Sequence, residues 1–154
     1  MSFRLAVLLP GLALAGIMLK SPAWLSIESP VNPYDQATRG AALLVHAKFP
    51  SGNPKVADLT GSAEGLVNGA RRSLPLRFDS TTHLDVFALR RQWPSDGTWL
   101  LRISLRETTA LVLLDASGNV ASARVPTRPG GEIPLPRAVT MGEVDSILTA
   151  VAKR

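Results

Sequence analysis

The chain has 154 residues, 45% of them hydrophobic and 19% charged, a length that suits one domain with its own core. It contains no cysteine, which excludes disulfides, thiol catalysis, iron–sulfur clusters and thiolate metal sites. The 17 Lys and Arg outnumber the 12 Asp and Glu for a net charge of +5, but the cations are scattered and aromatics make up only 5%, which argues against nucleic-acid binding.

At the N-terminus, Arg4 precedes an uncharged apolar run from Leu5 to Leu19, closed by Lys20 and then Ser21-Pro22-Ala23. This order of cation, apolar stretch and small residues predicts an export signal over 1–23, with cleavage after Ala23 and a periplasmic or secreted product. The run is shorter than the about 20 residues of a membrane-spanning helix, and Pro10, Gly11 and Gly16 interrupt it. The rival reading is an uncleaved anchor; without cysteine a lipoprotein anchor is excluded. Residues 1–23 hold two of the cations and none of the acids, so cleavage leaves 131 residues with a charge of +3.

Residues 24–138 read as short strands punctuated by turns. Trp24 to Glu28 alternates and predicts a first strand, and the prolines of 29–35 break it. Gly40 to Phe49 is the strongest strand pattern, with Leu43, Val45, Ala47 and Phe49 on one face and Leu44, His46 and Lys48 on the other. Val56 to Leu59 is a weaker strand. Ser62 to Val67, the Asn68-Gly69 turn and Ser73 to Phe78 predict a hairpin, and Pro75 marks its second arm as an edge or a bulge. His83 to Arg91 predicts a strand, Pro94 to Gly97 a tight turn, and Thr98 to Leu105 a strand with Trp99, Leu101, Ile103 and Leu105 in period 2. Ala110 to Asp115 and Val120 to Val125 flank a turn at 116–119, and Pro126 to Pro136 is an extended loop. In 139–154, Thr140 and Glu143 stand at capping-box spacing, and Met141, Val144, Ile147, Leu148 and Val151 recur at helical spacing. The expected fold class is all-β: a two-sheet antiparallel immunoglobulin-like β-sandwich with one short C-terminal α-helix.

The pattern Val86-Phe87-Ala88-Leu89, then Trp93-Pro94-Ser95-Asp96-Gly97-Thr98-Trp99-Leu100-Leu101-Arg102-Ile103, resembles exported immunoglobulin-like domains of the YtkA-like and FixH-like family. The resemblance implies the sandwich fold. Some relatives of that kind, including CopC-like sandwiches, handle copper. This chain departs from them: it has no His at the expected mature N-terminus and no Met/His-rich segment, and Met141 is the one Met beyond residue 23.

Candidate chemistry is sparse. No cofactor motif is present, and no Gly-x-Ser-x-Gly elbow or other catalytic motif supports an enzyme. His46, His83 and Asp85 form an alternative copper or zinc set, His83 and Asp85 sharing a face if both lie on a strand. The main expectation is a non-enzymatic binding domain of the cell envelope. Arg90 and Arg102 lie on outward registers of strands that the Pro94–Gly97 turn should make hairpin partners, with Arg72 beside another hairpin and Arg71, Arg91, Arg106 and Arg124 nearby in sequence. Such a guanidinium-lined sheet suits an acidic envelope protein or an anionic envelope component; if it is not a binding face, it is a solvated one. Trp93, on the turn, is a candidate surface anchor for a partner, with burial as its other reading. Membrane contact is expected only if the N-terminal segment stays uncleaved.

Overall fold

The computed structural model describes residues 21–153 and contains nine strands, one turn of 3₁₀ helix and one α-helix. Most of the expected export signal, residues 1–20, lies outside the described residues.

Strands β1 (Trp24–Glu28), β2 (Leu43–Lys48), β6 (Val86–Leu89) and β5 (Asp79–Ser80) form one antiparallel sheet in that order. The second sheet is β4 (Ala70–Pro75), β3 (Leu59–Val67), β7 (Thr98–Leu105), β8 (Thr108–Leu114) and β9 (Val120–Arg124), also antiparallel throughout. The two sheets enclose one core that includes Leu25, Leu43, Val45, Phe87, Leu89, Trp99, Leu101, Ile103 and Val112. The all-β sandwich with a C-terminal helix is therefore the architecture observed.

Period-2 alternation explains it. On β7, Trp99, Leu101, Ile103 and Leu105 point into the inter-sheet core, while Thr98, Leu100, Arg102 and Ser104 point outward. Close approach shapes this core: a Cβ on Gly65 would lie 2.5 Å from Cε3 of Trp99, so only glycine leaves room for the indole. Asn68 and Gly69 both take positive φ, +50° and +77°, and turn the β3–β4 hairpin as expected. Pro75 ends β4 at a sheet edge, where its missing N–H costs no ladder bond.

Part of the outward face of the second sheet is covered. Helix α1 (Met141–Ala152) lies on it and buries Val144 and Leu148 against Leu100, Leu111 and Val139. Thr140 caps the helix, its Oγ1 accepting from the Glu143 backbone N–H while Glu143 accepts from the N–H of Thr140.

Four local expectations change. Val56–Asp58 is a 3₁₀ turn, not a strand. The strand expected over His83 to Arg91 is confined to β6, because Thr81 Oγ1 accepts from the His83 N–H and donates to the Val86 carbonyl, folding 81–85 into a loop. Asp79 and Ser80, expected in a loop, pair with Ala88 and Phe87 as β5. The Pro94–Gly97 turn does not join hairpin partners: β6 and β7 belong to different sheets.

Candidate interaction face

The crossover between β6 and β7 separates the two arginines expected to act together. Arg90 stays with the first sheet, its Nε 3.2 Å from Asp79 Oδ2 and its Nη1 donating to the Arg39 carbonyl at 3.1 Å. Arg102 lies on the outer face of the second sheet. The cause is Trp93. Its ring enters the inter-sheet core with 4% exposure, and its Nε1 donates to the Gly118 carbonyl at 3.0 Å. Arg91 donates to the Ser117 carbonyl at 3.0 Å and fastens the same crossover to the β8–β9 turn. Trp93 is thus a core residue and not an exposed anchor. Arg72 is exposed on the edge strand β4, opposite Gly65, and takes part in no ion pair among the described residues.

The histidines are not gathered either. His46 Nε2 lies 2.8 Å from Glu28 Oε2 on the outer face of the first sheet. His83 and Asp85 sit in the loop before β6, so the strand face they were expected to share does not form. Among the described residues no group of three or more His, Asp or Glu side chains is placed to hold a metal ion.

What the second sheet does bring together is a different row. Arg102 of β7 is directly opposite Leu111 of β8, and Leu111 is directly opposite Arg124 of β9. Arg102 is half-buried, and its Nε is enclosed with no hydrogen-bond partner. Arg124 is exposed and in no ion pair among the described residues. Beside this row, α1 and the sheet leave two adjoining clefts of about 250 and 140 Å³ that share Leu111, Arg124 and Ile147. Leu113, Ala150 and Val151 extend the apolar wall of the larger one. Arg137 and Glu143 close the smaller one as a bidentate pair, with Arg137 Nη1 donating to Oε2 at 3.1 Å and Nη2 to Oε1 at 2.5 Å. Hydrogen bonding from Arg137, with that from the Thr140 backbone, holds the Glu143 carboxyl down at about 2, well below its ordinary value. Glu143 thus remains a carboxylate and keeps Arg137 engaged, while Arg124 is the cation left open at the rim.

On the far side of α1 a second polar cluster is self-contained. Glu64 of β3, 2% exposed, has Arg71 Nη1 2.9 Å from Oε2 and accepts from Ser73 Oγ at 3.0 Å. The Arg71 contact falls short of hydrogen-bond geometry, so Oε2 has an ionic partner only. Arg71 Nε also donates to Asp145 of α1 at 2.8 Å. At 2% exposure Glu64 is turned to these partners and not to solvent. The significance of Arg124 was hidden in the sequence because it follows from the pairing of β8 with β9 and from where α1 lands. The one signal available was the turn at 116–119, which places Leu111 and Arg124 in adjacent arms.

Comparison with protein-family models, with curated proteins and with solved structures finds no match for the chain.

Proposed function

We propose that this protein is a non-enzymatic binding domain exported to the cell envelope, and that it engages an acidic partner through the outer face of its second sheet. The observation that carries this reading is the pair of adjoining clefts with Arg124, in no ion pair among the described residues, at their common rim and Leu111 and Ile147 in their walls. A guanidinium offers two parallel N–H donors to a carboxylate, and the apolar wall beside it takes the adjacent side chain of the same partner. Arg90, tied to Asp79 and to the Arg39 carbonyl, is the internal control. The order of Arg4, the Leu5–Leu19 run and Ser21-Pro22-Ala23 supports an envelope location, as does the resemblance of the Val86–Leu89 and Trp93–Ile103 pattern to exported YtkA-like and FixH-like domains.

The test is capture from envelope extract with the full chain as bait, at low and at high salt, beside its Arg124→Glu and Arg90→Glu variants. A charge-assisted contact of about 1.5–3 kcal/mol corresponds to roughly 10- to 150-fold in affinity. Arg124→Glu should lose the partner at low salt, high salt should weaken the wild type, and Arg90→Glu should bind as the wild type does. Full retention of the partner by Arg124→Glu would overturn the assignment of this face.

A further inference from the structure

We propose that the chain is not cut after Ala23 and that the end of the sandwich surrounding Ala23 rests on a lipid surface.

The first observation concerns the boundary itself. Ala23 is 2% exposed and belongs to the inter-sheet core. Its carbonyl accepts from Oγ1 of Thr108, a side chain with no exposure, at 2.5 Å. Cleavage after Ala23 would remove that acceptor, strand a buried hydroxyl and place a charged amine on the first residue of β1. The fold therefore uses residues that an export cleavage there would discard.

The second observation is where the apolar surface lies. Among the described residues the exposed large hydrophobics are six: Tyr34 lies beyond the far end of β1, Met141 starts α1, and the other four are Trp24, Leu84, Ile133 and Leu135, at 53, 77, 73 and 43%. All four belong to one end. Trp24 pairs with Lys48, the last residue of β2. Ala47 donates to the Asp85 carbonyl, so the loop carrying Leu84 leaves the sheet at that level. β9 pairs antiparallel with β8, so its C-terminal end lies beside the start of β8 and the Arg106–Glu107 turn. From there the ribbon holding Ile133 and Leu135 projects, closed by the Thr127–Pro136 bridge and the Arg128–Leu135 backbone bond. Phe49, which follows β2 and is partly buried against the core, carries the Arg106 guanidinium 3.9 Å above its ring.

The occupant follows from what precedes this end. Leu19 closes the apolar run and Trp24 opens β1, so only four residues lie between them, and the extended reach from one to the other is at most about 17 Å. A bilayer that holds the run therefore lies within contact of Trp24, and an indole at the headgroup level is a common interfacial anchor. The run is shorter than a full span, and its flanking Arg4 and Lys20 are long cations of the kind that make up such a shortfall by snorkelling. Charge does not drive the contact: the cations Lys48, Lys55, Arg106 and Arg128 in the segments at this end are matched in number by Asp58, Asp85, Glu107 and Glu132. The apolar side chains do, so zwitterionic lipid suffices.

The absence of cysteine makes the test direct. The full chain is reconstituted into phosphatidylcholine vesicles containing headgroup-spin-labelled lipid, with a single fluorophore at Leu84→Cys, Ile133→Cys or, at the opposite end, Ser117→Cys. All three sites are exposed, and near-ultraviolet circular dichroism verifies each fold. The expected result is quenching of several-fold at 84 and 133 over 117, unchanged by salt and by Arg124→Glu, with the full-length mass recovered from membranes of expressing cells. Equal quenching at all three sites, loss of the chain from the vesicles, or a cell-derived product beginning at Trp24 would each overturn the proposal. None of these outcomes bears on the Arg124 face, whose test reads a salt-sensitive partner.

Discussion

Glu64 shows how one residue can be costly and still useful. A carboxylate at 2% exposure has lost most of its hydration, and among the described residues Arg71 and Ser73 alone compensate it. Arg71→Ala should leave the charge with a single hydroxyl partner. The expected loss is about 2–3 kcal/mol, below the range for a fully buried pair because Arg71 is a third exposed and water shares its work. Glu64→Gln keeps an acceptor for Ser73 and removes the uncompensated charge, so its cost should be under about 1 kcal/mol. Urea unfolding of the two variants separates these expectations; a wild-type midpoint for Arg71→Ala would mean that the pair contributes nothing. Glu64→Gln should also leave capture through Arg124 unchanged, since it keeps the Arg71–Asp145 link to α1.

At the scale of elements, α1 carries its own pH sensor in the capping box. The Glu143 carboxyl sits near 2 in the folded protein, lowered first by Arg137 and then by the Thr140 N–H, against 4.5 for an unperturbed glutamate. Because the folded value is depressed, its contribution is fully present above the unfolded value and disappears as pH falls from about 4.5 through about 2. Amide protection in the first turn of α1, taken relative to the intrinsic exchange rate at each pH, should fall across that window in the wild type and show no such step in Glu143→Gln; a flat wild-type protection profile would disprove the linkage. This helix was legible in the sequence down to its cap, because Thr140 and Glu143 have a fixed spacing and Val144 and Leu148 recur at helical period. β7 was legible for the matching reason, four inward side chains in strict alternation. The partners of strands were less so. Pro94-Ser95-Asp96-Gly97 announces a reversal of the chain, but turn composition does not say to which sheet the chain returns. That choice rests on Trp93 reaching the Gly118 carbonyl, 25 residues away. The same gap explains the candidate face: the outward register of Arg102 could be read locally, whereas its separation from Arg90 and its row with Leu111 and Arg124 depend on pairings that no local pattern encodes.

For the whole molecule, the question is whether three layers act as one. The first sheet covers the inner face of the second, and α1 covers part of the outer face, so the central β7 is buried on both sides at Leu100 and Leu101. Two kinds of link tie α1 down: Leu148 and Val144 packed on Leu100 and Leu111, and Asp145 joined to Arg71. If these make the helix part of one cooperative unit, far-ultraviolet dichroism and tryptophan fluorescence will report the same urea transition, since Trp93 and Trp99 are buried in the other core. Leu148→Ala removes a side chain with 1% exposure and should cost about 2–5 kcal/mol. In a cooperative molecule both probes shift together to a lower midpoint. In a molecule whose helix is only an appendage, the helical signal moves alone and the tryptophans stay. The first outcome has a functional corollary: Ile147, Ala150 and Val151 wall the larger cleft, so loosening α1 through Leu148 should also weaken partner capture while Arg124 remains in place. Undiminished capture by Leu148→Ala, under conditions where the helix is released, would separate binding from the helix and leave the exposed edge of β9 to carry it alone.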